Sequence, residues 1–189
     1  YYIAASRASA EQGLVVPRDA LRVALNGGAP FWHLVVPEAR RSPELIATLR
    51  ERTICHWAAV LEEHVTVFHG IGETIRLLVA AGLKLAIYTG SQGESLPPLE
   101  RAGLMHHFDP VLTSVHVTQR KPHPEGLIRC LEALGVDPAE AAYVGDSVQD
   151  IQAARAAGMT AIGVLSGTAD SALLGAAGPE QLIGRWFMD

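Results

Sequence analysis

Three short segments of the chain carry residue types able to handle a phosphoryl group and a divalent cation: Thr89-Gly90-Ser91, Arg120-Lys121-Pro122-His123-Pro124, and Gly145-Asp146-Ser147 with Asp150 beyond it. Two carboxylates four positions apart at a strand–helix turn can face one point, and hard oxygens so placed suit Mg2+. A hydroxyl among backbone amides suits phosphate oxygens. A lysine between the two neutralises the charge of the phosphate or of a nearby carboxylate. The set describes Mg2+-assisted phosphoryl transfer. Each segment also has a plainer reading, in which Thr89 and Asp146-Ser147 cap helices, Asp150 favours a helix N-terminus and Lys121 is a solvated loop cation. The order of the three behind successive strands favours the chemical reading.

The elements that must position these residues fall into two zones. From residue 1 to about 65 the pattern is helical. Tyr2 to Gln12 reads as one helix, and a second opens at Pro17-Arg18-Asp19 and ends at Asn26-Gly27-Gly28. A third starts at Ser42-Pro43-Glu44 and runs to His64, with Leu45, Leu49, Ile54, Trp57, Ala58 and Leu61 assigned to one face. From Val67 onward helices alternate with short apolar strands at Leu83–Tyr88, Pro110–Thr113, Ala141–Val144 and Thr160–Val164, and Ala169–Gly175 is the last clear helix. Continuous apolar strands alternating with helices predict an α/β fold, with a parallel Rossmann-like sheet between helices on both faces. In such a sheet ligands bind at the strand C-terminal ends, where all three polar segments fall.

Composition narrows the classes. Of 189 residues, 49% are apolar and 19% charged, enough for a sizeable core and against a disordered chain. The net charge of −5 carries no basic nucleic-acid footprint. Only Lys84 and Lys121 are lysines, so any chemistry needing an amine has two candidates. Two cysteines, Cys55 and Cys130, make neither a metal pair nor a disulfide framework and predict a reducing, cytoplasmic setting. No apolar stretch predicts a membrane span. Arg40-Arg41 reads either as a solvated pair or as a cation pair that steers an anionic substrate.

The stretch Leu83 to Gly167 resembles the core of the haloacid dehalogenase-like superfamily, close to its phosphoglycolate phosphatase-like branch. Thr89 in Ile87-Tyr88-Thr89-Gly90-Ser91 is similar to the family's second motif, Lys121 in Arg120-Lys121-Pro122 to its third, and Gly145-Asp146-Ser147-Val148-Gln149-Asp150 to its fourth. The resemblance implies a core at residues 66–189 and a small all-helical cap at residues 1–65, which closes over the site and selects substrates. It implies a phosphatase that hydrolyses a small phosphorylated metabolite through an aspartyl-phosphate. Lys121, Thr89 and Asp150 would be catalytic; Thr89, Gly90, Ser91 and Lys121 would bind the phosphoryl group. Asp146 and Asp150 would be the Mg2+ ligands, with Asp150 also placed to orient Lys121 or a metal-bound water.

One departure stands out. The family's first motif, Asp-x-Asp on a strand, supplies the nucleophile, the acid/base and a metal ligand. None of the seven aspartates here has another two positions away. The expectation is an upstream segment that seats this strand between those ending near Thr89 and Gly145. Without it, a binding module that keeps the fold but not the chemistry is the contrasting reading. A sugar phosphomutase of the same superfamily is a second alternative. The Gly145-Asp146-Ser147 segment argues against the metal-free dehalogenases, and the lysine-free residues 1–83 argue against phosphonate hydrolases.

Overall fold

The computed structural model describes residues 1–25, 29–166 and 171–184. The helix end expected at Asn26-Gly27-Gly28 lies outside them, as do Ala169 and Asp170. The chain forms two compact units, Tyr1–Val65 and Thr66–Asp189.

The first unit is helical, with α1 at Tyr2–Ala10, α2 at Ala20–Leu25, α3 at Phe31–Val35 and α4 at Pro43–His64. Helix α4 begins where its sequence dictates. Ser42 is extended and its hydroxyl accepts the Leu45 amide at 3.1 Å, while Pro43 brings a helical φ and no orphan N–H. The small faces of α1 (Ala4, Ala5 and Ala8) are fully buried, and Ala5 shares a core with Leu49 of α4, Trp32, Val35 and Val36. The buried stripe of α4 is Leu49, Thr53, Val60 and Leu61. Ile54, assigned to that stripe from the sequence, is 74% exposed. Five residues beyond Leu49 it has turned about 140° around a helix of 3.6 residues per turn, away from the core. Arg40 and Arg41 hold the loops: Arg40 Nη2 donates to the Gln12 carbonyl at 2.9 Å, and Arg41 Nη2 to those of His33 and Val36 at 3.1 and 3.2 Å. Arg40 is exposed and Arg41 half-buried, so each holds a loop carbonyl from the unit's surface.

In the second unit α5 (Ile71–Ala80) leads to β1 (Leu85–Tyr88), α6 (Pro97–Arg101) and β2 (Phe108–Leu112). Then come α7 (Glu125–Leu134), β3 (Ala142–Gly145), α8 (Val148–Ala156), β4 (Thr160–Val164), α9 (Ser171–Ala176) and β5 (Gln181–Ile183). All pairings are parallel, as short apolar strands separated by helical crossovers require. β1 pairs with β2, and β3-β4-β5 form a second sheet with Gly145 opposite Gly163. Among the described residues β1 has no partner besides β2, and β3 none besides β4, so each keeps one unpaired edge. Helix α7 packs on β1 and β2, and α8 on β3 and β4. Their shared core holds Tyr88, Leu127, Cys130, Ile151, Ala153, Ala154, Ala161 and Leu174. Strand β5 escapes sequence reading because it is three residues long and two of them are exposed. No helix among the described residues is long and apolar enough to cross a membrane.

Candidate active site

A parallel sheet sends its strand C-termini to one side, and the loops after β1, β2 and β3 carry Thr89, Lys121 and Asp146 with Asp150. The centre of the site is an ion pair. Lys121 Nζ lies 2.6 Å from Asp150 Oδ1, and the two side chains are only 16% and 6% exposed. Asp150 is fixed from its other oxygen: Oδ2 accepts the Ser147 hydroxyl at 2.7 Å and the amides of Ser147 and Asp146 at 3.1 and 3.2 Å. The Ser147 hydroxyl in turn accepts the Asp150 amide, so the first turn of α8 is a capping box built on an aspartate. Gly145 permits this. A Cβ there would overlap the Asp150 side chain, so no larger residue can end β3 with Asp150 in place.

The electrostatics follow from burial and partners. Burial pushes the Asp150 carboxyl up, but the Lys121 ammonium and the Ser147 donors outweigh it and hold it below its ordinary value. Burial pulls Lys121 down, and the Tyr143 oxygen and Asp150 carboxylate more than reverse this, so Lys121 is a firm cation. Asp146 moves the other way. Burial and then the neighbouring Asp150 carboxylate raise it, which leaves a carboxylate that gains from a bound cation.

Two further side chains complete the site. Tyr143, on β3, accepts a hydrogen bond from Lys121 Nζ at 3.0 Å and donates its hydroxyl to the Tyr88 carbonyl at 3.1 Å. That bond brings the ends of β1 and β3 within a tyrosine's reach of each other. Glu125 opens α7 and ties down the loop that carries Lys121. Its carboxylate accepts the Thr118 hydroxyl at 2.7 Å, the Thr118 amide at 3.1 Å and the Gln119 amide at 2.7 Å. The Thr118 hydroxyl, then the Thr118 and Gln119 amides, bring its carboxyl down to about 2.

The structure therefore joins Lys121 directly to Asp150 and, through the Asp146 amide, to the Asp146 backbone. Thr89 stands apart by one step, as the residue after Tyr88, whose carbonyl receives Tyr143. Its hydroxyl donates to Ser91 Oγ at 3.2 Å and accepts the Ser91 amide at 3.2 Å, while Ser91 also bonds Ser95 at 2.8 Å. Thr89-Gly90-Ser91 is thus a self-bonded hydroxyl loop, and a Cβ on Gly90 would meet open space. Tyr143 and Glu125 were missed by sequence reasoning. The signal for Tyr143 was available: it shares the inward parity of Gly145, where a phenol needs a polar partner.

Comparisons with known proteins place the chain in a family. The chain is 40% identical over 117 residues to a phosphoglycolate phosphatase of Chromobacterium violaceum, covering 61% of this chain and 53% of that protein. It spans about half the length of the curated relatives it matches. A hydrolase of the same family from Deinococcus radiodurans, solved with phosphate and sodium bound, is 26% identical with a TM-score of 0.73, covering 97% of this chain and 84% of that one. A β-phosphoglucomutase of Clostridium difficile shares the fold, with a TM-score of 0.69 at 18% identity over 96% of this chain and 82% of that one. The sequence profile of haloacid dehalogenase-like hydrolases matches residues 30–164. With most of its length inside that profile and its phosphoglycolate phosphatase relatives alongside, the chain belongs to the haloacid dehalogenase-like hydrolase family.

Proposed function

We propose that the protein is a Mg2+-dependent phosphatase acting on a small phosphorylated metabolite through an aspartyl-phosphate. The observation that carries this reading is the buried Lys121–Asp150 pair, which fixes an ammonium among the loops that follow the parallel strands. A phosphoryl group needs little covalent help from its protein beyond a nucleophile; positioning and charge stabilisation supply most of the catalysis. In this reading Lys121 donates to a phosphoryl oxygen, and Thr89, the Gly90 amide and Ser91 hold the others. The relative solved with bound phosphate fits the same substrate class.

Asp146 is the carboxylate offered to Mg2+, which when bound neutralises phosphoryl charge. Both oxygens of Asp150 are engaged, which favours the role of orienting Lys121 over direct ligation. Among the described residues no three His, Cys, Asp or Glu side chains converge on one point. Mg2+ characteristically takes one or two carboxylates, phosphate oxygens and waters, so Asp146 suits it as one ligand of a larger set. The nucleophilic carboxylate belongs to a strand seated between the unpaired edges of β1 and β3. The helical unit Tyr1–Val65 is the cap that selects the substrate. The unpaired cysteines, Cys55 exposed and Cys130 buried, fit a reducing cytoplasm.

The test, made on the full-length protein, is release of inorganic phosphate from phosphoglycolate and from an aryl phosphate, with and without chelator. Turnover that chelator stops, Mg2+ restores and Lys121→Ala abolishes supports the reading. A protein that binds phosphate but turns nothing over supports the binding-module alternative. The phosphomutase fold relative motivates one further arm: a sugar phosphate isomerised without phosphate release identifies a mutase.

A further inference from the structure

We infer that Tyr143 is a positioning residue that fixes the direction in which Lys121 presents its ammonium to the phosphoryl group, an inference that rests on the phosphatase reading of this site. An ammonium has three N–H bonds, and one acceptor leaves it free to rotate about that single contact. Asp150 Oδ1 at 2.6 Å is the first acceptor and the Tyr143 oxygen at 3.0 Å the second. Two acceptors set the orientation and leave the third N–H for a ligand. The Lys121 Nζ also sits 5.3 Å from the centre of the Tyr88 ring, inside the range where a ring face attracts a cation.

Tyr143 can play this part because its own proton is committed elsewhere. A tyrosine phenol is neutral at neutral pH and has one O–H to give. That O–H goes to the Tyr88 carbonyl at 3.1 Å in preference to Asp150 Oδ1 at 3.5 Å. The oxygen lone pairs are then left facing Lys121. The backbone at the end of β1, where Thr89 follows at once, thereby dictates where the ammonium points. One residue thus ties the lysine to the strand end that leads into the Thr89 loop.

The sequence makes the experiment unusually clean, because Lys84 and Lys121 are the only lysines. With 13C placed at lysine Cε, the protein gives two lysine signals, and Lys84, bonded to the exposed Leu134 carbonyl at 2.6 Å, is the internal reference. The expected result is that Tyr143→Phe reduces the chemical-shift difference between the two Lys121 Hε protons by at least half, with faster side-chain motion, while the Lys84 signal stays put. Replacing Tyr143 by 4-aminophenylalanine keeps a donor for the Tyr88 carbonyl but offers a poor acceptor; it loosens Lys121 in the same way and guards against a Phe variant that fails to fold. On a turning-over enzyme, Tyr143→Phe lowers kcat about tenfold with KM within about twofold, because orientation is lost where charge develops. Lys121 signals unchanged in both variants overturn the inference, as does an unchanged kcat. Absence of turnover in every protein overturns the phosphatase reading instead, and the lysine spectra still decide whether Tyr143 holds Lys121.

Discussion

Replacing Lys121 by Met tests the ion pair with a side chain of similar length and no charge. The partner left behind, Asp150, is only 6% exposed, and removing one member of a buried pair costs about 3–5 kcal/mol. Asp150 Oδ2 keeps its three donors from Ser147 and Asp146, which places the expected loss at the lower end, about 3 kcal/mol. At about 3–4 °C per kcal/mol for a unit of this size, Tm falls by about 10 °C near pH 7. The dependence on pH separates charge from packing. In the parent protein the Asp150 carboxyl is held low, so its contribution is present above the unfolded value of about 3.9 and is lost only as pH falls through the lower folded value. In the variant only the Ser147 and Asp146 donors still oppose burial, so the folded carboxyl titrates higher than in the parent. The variant is then penalised at neutral pH and relieved as pH falls and Asp150 protonates. The gap between the two proteins should therefore narrow as pH falls through the variant's Asp150 value towards the lower value of the parent, measured by urea unfolding in chelator. The double variant Lys121→Met with Asp150→Asn should show a smaller gap with little pH dependence. A gap of 3 kcal/mol that is flat with pH would refute the electrostatic account and leave lost packing as the cause.

The remaining expectations are simpler to check. Gly145→Ala puts a methyl into the Asp150 side chain, so it should destabilise by about 1–3 kcal/mol and reduce phosphate release more than tenfold, read by calorimetry and a phosphate assay. Asp146→Asn should leave Tm nearly unchanged in chelator yet raise the Mg2+ concentration needed for half-maximal turnover; unchanged Mg2+ dependence would remove Asp146 from the metal set. Ser42→Ala removes the α4 cap at 3.1 Å and should cost about 1 kcal/mol in urea unfolding. Leu49→Ala, at a fully buried position of the same helix, should cost about 2–5 kcal/mol.

How far the sequence reaches is seen best at the site itself. Thr89 and Asp146 could be singled out because each directly follows an apolar strand and strand ends in a parallel sheet share one side, whereas Lys121 and Asp150 lie further on, in the loop after β2 and in α8. The α4 start was legible for the same kind of local reason, since Ser-Pro-Glu caps a helix with nearest neighbours alone. Tyr143 and Glu125 were not, because their roles depend on partners 22 and 7 positions away, Lys121 and Thr118, that only the crossovers bring near. Ile54 misled for want of a tertiary partner to fix which face of α4 is inward.

The free edges of β1 and β3 carry the argument one step further. Val144, on β3, is 55% exposed although its strand reads as a buried run, and its neighbour Ala142 is exposed as well. An exposed edge of this kind is a template on which a further strand can pair. The Tyr143–Tyr88 hydrogen bond is the one described strand-to-strand link between the two sheets at this point, and it binds the same tyrosine that holds Lys121. A strand added at these edges would have to fit around Tyr143, close to the Lys121 ammonium that Tyr143 holds. A carboxylate carried there meets a cation already paired on one side, oriented on a second and open on a third. The apolar edges that favour an added strand and the charge that favours an acidic residue on it thus converge at the end of β3.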